Sequence, residues 1–114
     1  AAVFAQSTSL LVGGTTLGHI HLRTSSLASA EAFYAGRLGL AVSTREYPGA
    51  LFFGADGYHH HVAANTWGRP APADGRMHAG LESVEIALSN LDAPQTLADP
   101  DGLSVRIVPF TSPP

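Results

Sequence analysis

The chain has 114 residues, of which 45% are hydrophobic and 13% charged, enough for about one domain and a composition that folds around a core rather than staying disordered. Six arginines, no lysine and nine acidic residues give a formal charge of -3, which offers no basic surface to a phosphate backbone and excludes nucleic acid as the expected partner. Cysteine is absent, so disulfides, thiolate metal sites and thiol nucleophiles are ruled out, and any metal falls to histidine and carboxylate.

Residues 1–16 are rich in Ala, Ser, Gly and Thr and read as an arm or linker. The opening AAVFAQSTSLLVGG lacks a basic leader and reads as a fragment boundary rather than a signal peptide. No apolar run approaches the roughly 18 residues of a membrane helix, so a cytoplasmic protein without membrane contact is expected. LGHIHLR, 17–23, alternates strictly and predicts a half-buried strand, with Ile20 and Leu22 on one face and His19 and His21 on the other. SSLASAEAFYAGRLGL, 25–40, changes to a helical period: Leu27, Ala30, Phe33 or Tyr34, and Leu38 share a side, Ser26 stands as N-cap, and Gly39 marks the stop.

AVSTREY, 41–47, and ALFFGA, 50–55, read as strands joined by a Pro48-Gly49 turn, and Asp56-Gly57 as a tight hairpin turn. The stretch GYHHHVAANTW follows, with a strand expected over about 58–64 that the three histidines open. Alternation along it puts His59 and His61 with Ala63 and Asn65, and His60 with Tyr58, Val62 and Ala64 on the opposite face. A Pro/Gly-rich surface loop over 65–80 leads to a strand over 80–89, where Val84, Ile86 and Leu88 oppose Ser83, Glu85 and Ala87. After a short link, DPDG at 99–102 makes a turn and LSVRIVP at 103–109 a last strand, with Arg106 opposite Val105 and Ile107. Residues 110–114 read as a frayed tail. One helix among these strands makes an α+β domain over 17–109 in which one sheet face is covered and the other is free to line a cavity.

GHIHL, AFYAGRLGL and GYHHHVAANTW, in that order, with DPDG before the last strand, resemble the vicinal oxygen chelate superfamily of glyoxalases, bleomycin-resistance proteins and extradiol dioxygenases. The likeness is greatest to the second module of the catechol-2,3-dioxygenase-like group. It implies a βαβββ unit curled into a cup, with a divalent metal (Fe, Mn, Ni or Zn) on the floor and a small aromatic or polyoxygenated molecule above it. Carried over by position, the metal ligands fall on His19, on or next to Ser83, where the family usually has His, and on Arg106, where it usually has Glu. Two of the three are therefore replaced.

The second half is also truncated, since NLDAPQTLA stands where a helix and two further strands belong. Exposed strand edges are normally covered or paired, so completion by a second copy, by a companion module or by the N-terminal arm is expected. In a βαβββ unit the first and fourth strands are neighbours, which lets His19 or His21 approach His59 or His61. The resemblance gives His60 or His61 the acid–base part, a role suited to an imidazole. Glu85 is a candidate ligand beside His19, though an ion pair with Arg106 is expected ahead of ligation, a fixed cation standing where the family has a carboxylate. His21, His59, Trp67 and Arg106 are the candidate substrate contacts. Two readings stand: a metal-dependent dioxygenase or related lyase, and a metal-free small-molecule binding or resistance protein with no cofactor.

Overall fold

Hydrogen bonding divides the strands into two four-stranded sheets, seen in a computed structural model that describes residues 3–4, 18–68, 80–89 and 91–110. In chain order the elements are β1 (Val3–Phe4), β2 (Ile20–Arg23), α1 (Leu27–Glu31) continued by a π-helical segment (Ala32–Arg37), β3 (Ala41–Thr44), β4 (Ala50–Gly54), β5 (Val62–Asn65), β6 (Ser83–Leu88), β7 (Gln95–Ala98) and β8 (Ser104–Pro109). The first sheet runs β2-β5-β4-β3 and the second β1-β6-β8-β7.

In the first half β2 and β5 lie parallel, with Ile20 opposite Val62 and Leu22 opposite Ala64, and the other pairs are antiparallel. A helix must carry the chain between parallel neighbours, and α1 does so. It starts where Ser26 Oγ accepts from the Ser29 amide at 3.2 Å, because a serine in extended backbone satisfies one of the first-turn donors. It ends at Gly39, whose φ of +82° favours glycine. Between the two, the helix widens, with Leu38 N donating to Phe33 O at 2.9 Å. The wider turn brings Phe33 and Tyr34 inward together, where a regular period admits one of them.

The second half has β6 and β8 parallel and β7 antiparallel to β8. The strand β7 is absent from the sequence reading, which has only a link before DPDG. That turn is a hairpin: Gly102 N donates to Asp99 O at 3.0 Å, and Asp99 Oδ1 accepts from the amides of Asp101 and Leu103, both at 2.9 Å. Asp side chains bind their own backbone in this way and stabilise turns. At the other edge β1, from the segment read as an arm, pairs antiparallel with β6, which is one of the three expected ways of covering that edge. Phe110, read as tail, donates its amide to Leu88 O at 2.9 Å. Most of the 65–80 loop and residues 111–114 lie outside the described residues.

Both sheets turn one face to a common core. Leu22, Leu51, Phe53, Val62 and Ala64 of the first meet Ile86, Leu88, Val105 and Ile107 of the second, together with Ala30, Phe33, Tyr34 and Leu38 of the helical segment. The opposite faces stay open, with His21 exposed on the first sheet and Ser83, Glu85 and Arg106 exposed on the second. Among the described residues no helix is long and apolar enough to cross a membrane.

Candidate metal centre

The histidine run reaches β2 through the backbone. Asp56 and Gly57 take φ of +53° and +77°, both central residues of a tight turn in the left-handed region that Asp-Gly pairs supply. The chain then doubles back so closely that a Cβ on Gly54 would run into the carbonyl of Tyr58. Absence of a side chain at 54 is therefore what lets the run lie across the end of β4. His61 N donates to Phe53 O at 2.8 Å, and Ile20 N donates to His61 O at 2.9 Å. The run is thereby sewn between β4 and β2 before β5 begins at Val62.

This corrects the sequence reading of the run. The strand was expected from about 58, with His59 and His61 toward one face and His60 toward the other. Residues 58–61 are irregular chain with bends and not extended strand, so alternation does not apply to them. His60 joins His19 and His21, while His59 approaches His19 as expected, with ring centroids 6.3 Å apart, but stands outside that group. Its ring centroid lies 4.3 Å from that of His19, 5.4 Å from that of His21 and 5.0 Å from that of Phe52. The rings of His19 and His21 are 4.9 Å apart.

One nitrogen from each of His19, His21 and His60 lies within 4.8 Å of the others. The Nε2 of His60 is buried without a hydrogen-bond partner, and its Nδ1 is 2.9 Å from Nδ1 of His59. Burial pushes the His60 imidazole below its ordinary pKa, and so would positive charge on His19, His59, His21 and His61. His60 is therefore a neutral imidazole at neutral pH, with a lone pair to give. Three imidazoles, one with a buried and unpartnered nitrogen, fit a divalent transition metal, since this donor set suits Zn, Fe or Ni and leaves other positions open. All three come from the first half.

The remaining candidates lie elsewhere. His61 is half-buried apart from the group: its Nδ1 accepts from the Ala55 amide at 3.3 Å and its ring packs on Tyr58 at 4.4 Å. Its pKa is also lowered, by burial first, with Asp56 opposing. Glu85, considered as a ligand beside His19, is not in the histidine group. It stands opposite Arg106 in the parallel register and meets it at 3.3 Å, the ion pair expected from sequence. Ser83 is exposed opposite Ser104 on the same sheet. Trp67 is 60% exposed, and its Nε1 donates to Pro48 O at 2.9 Å, closing the Pro48–Gly49 turn.

Sequence reasoning passed over Phe52 and Tyr47. Phe52 sits opposite Ala63, itself opposite His21, and its ring lies 6.1 Å from His21 and 5.4 Å from Tyr47. An aromatic surface thus adjoins the imidazoles. The signal was present in ALFFGA, where Leu51 and Phe53 face the core and Phe52 must face away.

A βαβββ half with an imidazole cluster on its open face, joined to a shorter three-strand half, defines a small α+β module of the glyoxalase type. Residues 16–93 match the family model described as Glyoxalase/Bleomycin resistance protein/Dioxygenase superfamily, and the chain belongs to that superfamily. It is 43% identical over 81 residues to the Catechol-2,3-dioxygenase of Bacillus subtilis (strain 168), covering 68% of this chain and 28% of that protein. The chain thus spans little more than a quarter of the length of this curated relative. No solved structure matches the chain.

Proposed function

We propose that the chain is a metal-dependent, dioxygenase-like module of the superfamily that acts on a small aromatic or polyoxygenated molecule. The observation that carries this reading is the grouping of His60, whose Nε2 is buried and unpartnered, with His19 and His21. His19, His21 and His60 would hold a divalent metal (Fe, Mn, Ni or Zn), which supplies a Lewis acid that binds and polarises an oxygen of the substrate. Phe52 and Tyr47 offer an aromatic ring a flat apolar neighbour. His59 is exposed beside His60, and Trp67 is exposed at the Pro48 turn.

A His60 that ligates through one nitrogen and bonds His59 through the other has none left for proton transfer. Of the two acid–base candidates His61 then remains, with its Nδ1 accepting from Ala55 and its ring outside the ligand group. The relative's printed activity, catechol 2,3-dioxygenation, is the nearest chemistry for this reading.

The metal-free binding protein is the second reading, and the Glu85–Arg106 pair favours it. A guanidinium in place of a ligating carboxylate adds positive charge where the family balances a metal's charge. Metal analysis of protein purified without chelator, with calorimetric titration of Zn(II) and Fe(II), separates the two. One equivalent of metal and at least tenfold weaker binding by His60→Ala support the enzyme reading. Absence of stoichiometric metal, with melting unchanged on metal addition, supports the other.

For partners, we propose that a second copy of this chain or a companion module completes the open half-cup around the small molecule. Size-exclusion chromatography with light scattering tests it. A monomer at micromolar concentration that melts in one sharp transition would leave no need for a partner.

A further inference from the structure

We propose that His59 is a positioning residue for the metal centre: its Nδ1 accepts the Nδ1 proton of His60 and so holds His60 in the tautomer whose Nε2 is free to ligate. This rests on the metal-dependent reading above. The two Nδ1 atoms lie 2.9 Å apart, a distance at which one must carry a proton and the other a lone pair. The tautomers of the two rings are therefore linked. If His60 donates, its Nε2 is a bare lone pair, and His59 carries its own proton on Nε2. If His59 donates, the proton of His60 sits on Nε2, where the nitrogen is buried and has no acceptor.

The first arrangement is the one that fits both rings to their surroundings. His59 is exposed, so its Nε2–H can be satisfied by water, whereas an Nε2–H on His60 would be a donor closed off from solvent. It is also the one a ligating His60 requires, since a metal takes the lone pair of one ring nitrogen while the other donates to an outer partner. That outer partner is commonly a carboxylate or a backbone carbonyl. Here it is a second imidazole rather than a carboxylate, so the centre gains orientation from it without gaining negative charge. Gly54 and the Asp56-Gly57 turn set the path of the chain that carries both rings, and Tyr58 packs on His59 at 4.2 Å and steadies the acceptor.

The exposed position of His59 makes the role separable from folding, because its removal leaves no buried cavity. The test combines Zn(II) titration with long-range proton–nitrogen correlation spectra, which report which ring nitrogen of His60 carries the proton in metal-free protein. Wild type is expected to show the proton on Nδ1. His59→Ala should weaken Zn(II) binding about tenfold and give a mixed tautomer at His60, with the melting temperature unchanged. His59→Gln, which restores an acceptor oxygen, should recover most of the affinity. A proton on Nε2 of His60 in wild type, or His59→Ala affinity within twofold of wild type, overturns the positioning role alone. Failure of wild type to bind Zn(II) overturns the metal reading beneath it, and the positioning role with it.

Discussion

Tyr34 Oη donates a 2.8 Å hydrogen bond to Asp99 Oδ2 across 65 positions of the chain, and both residues are buried. The bond ties the widened helix of the first half to the turn that opens the last strand of the second. Tyr34→Phe keeps the ring and its packing on Phe53 but leaves a buried carboxylate oxygen without its donor. A loss of about 1–3 kcal/mol is expected, read as a lower denaturant midpoint with an unchanged slope. Burial, and then the bond to Asp99, push the Tyr34 phenol well above its ordinary value of 10. A group raised in this way stabilises fully below pH 10, and that stability is lost as the pH rises beyond it. Tyr34→Phe should therefore flatten the alkaline limb of a melting-temperature profile; a limb of wild-type steepness would refute the assignment.

Asp101 makes the matching tie on the acid side. Burial raises its pKa, but hydrogen bonds from Thr24 Oγ1 at 2.7 Å and the Ser25 amide at 2.9 Å, with the charge of Arg23, bring it below its ordinary 3.8. Stability from a lowered carboxyl is present above pH 3.8 and is lost as the pH falls through the folded value. Asp101 is largely exposed, so screening limits the effect to under about 1 kcal/mol. The melting temperature of Asp101→Asn should start slightly below wild type at pH 6 and converge with it as the pH falls below 3.8. Parallel curves would show that Thr24 and Ser25 do not act through the charge.

The elements read correctly from sequence are those whose own residues dictate them. Strict alternation in LGHIHLR placed His19 and His21 together, Ser26 and Gly39 bounded the helix, and Asp56-Gly57 announced its turn. The strand β7 was hidden because Gln95, Thr96 and Ala98 are exposed. An edge strand with one half-buried apolar residue, Leu97, carries no alternation, and its pairing comes from the DPDG hairpin beside it. Phe33 and Tyr34 could not be separated because the helix widens there and buries both. The placement of His60 depended on a long-range fact, the passage of the chain over Gly54, which no periodicity within GYHHHVAANTW contains.

Gly54 and Gly68 make a paired test of that passage. A Cβ at 54 meets the Tyr58 backbone, whereas a Cβ at 68 meets Arg23 Cδ at 2.5 Å, part of a flexible side chain that can move aside. Gly54→Ala is expected to cost about 1–3 kcal/mol as an overpacked site and to weaken Zn(II) binding, since His60 must shift with the run. Gly68→Ala should leave both nearly unchanged. Equal and small effects at the two positions, by thermal melting and calorimetry, would mean that the backbone approach at Gly54 does not position the histidines.

Glu85 and Arg106 decide whether the second sheet takes part in metal binding. Their ion pair is more than half exposed on both sides, so removing either partner should change stability by less than about 1 kcal/mol and by still less in high salt. If the ligands are His19, His21 and His60, then Glu85→Ala and Arg106→Ala should bind Zn(II) within twofold of wild type, while His19→Ala loses at least tenfold. The ligand positions implied by resemblance, His19 with residues 83 and 106, predict otherwise. In that arrangement Arg106→Ala relieves repulsion and tightens binding, and Arg106→Glu tightens it further by restoring the carboxylate. A tenfold gain in Zn(II) affinity for Arg106→Glu, lost again in Arg106→Glu with His19→Ala but kept with His60→Ala, would place the metal between the two sheets and remove His60 from its ligand set.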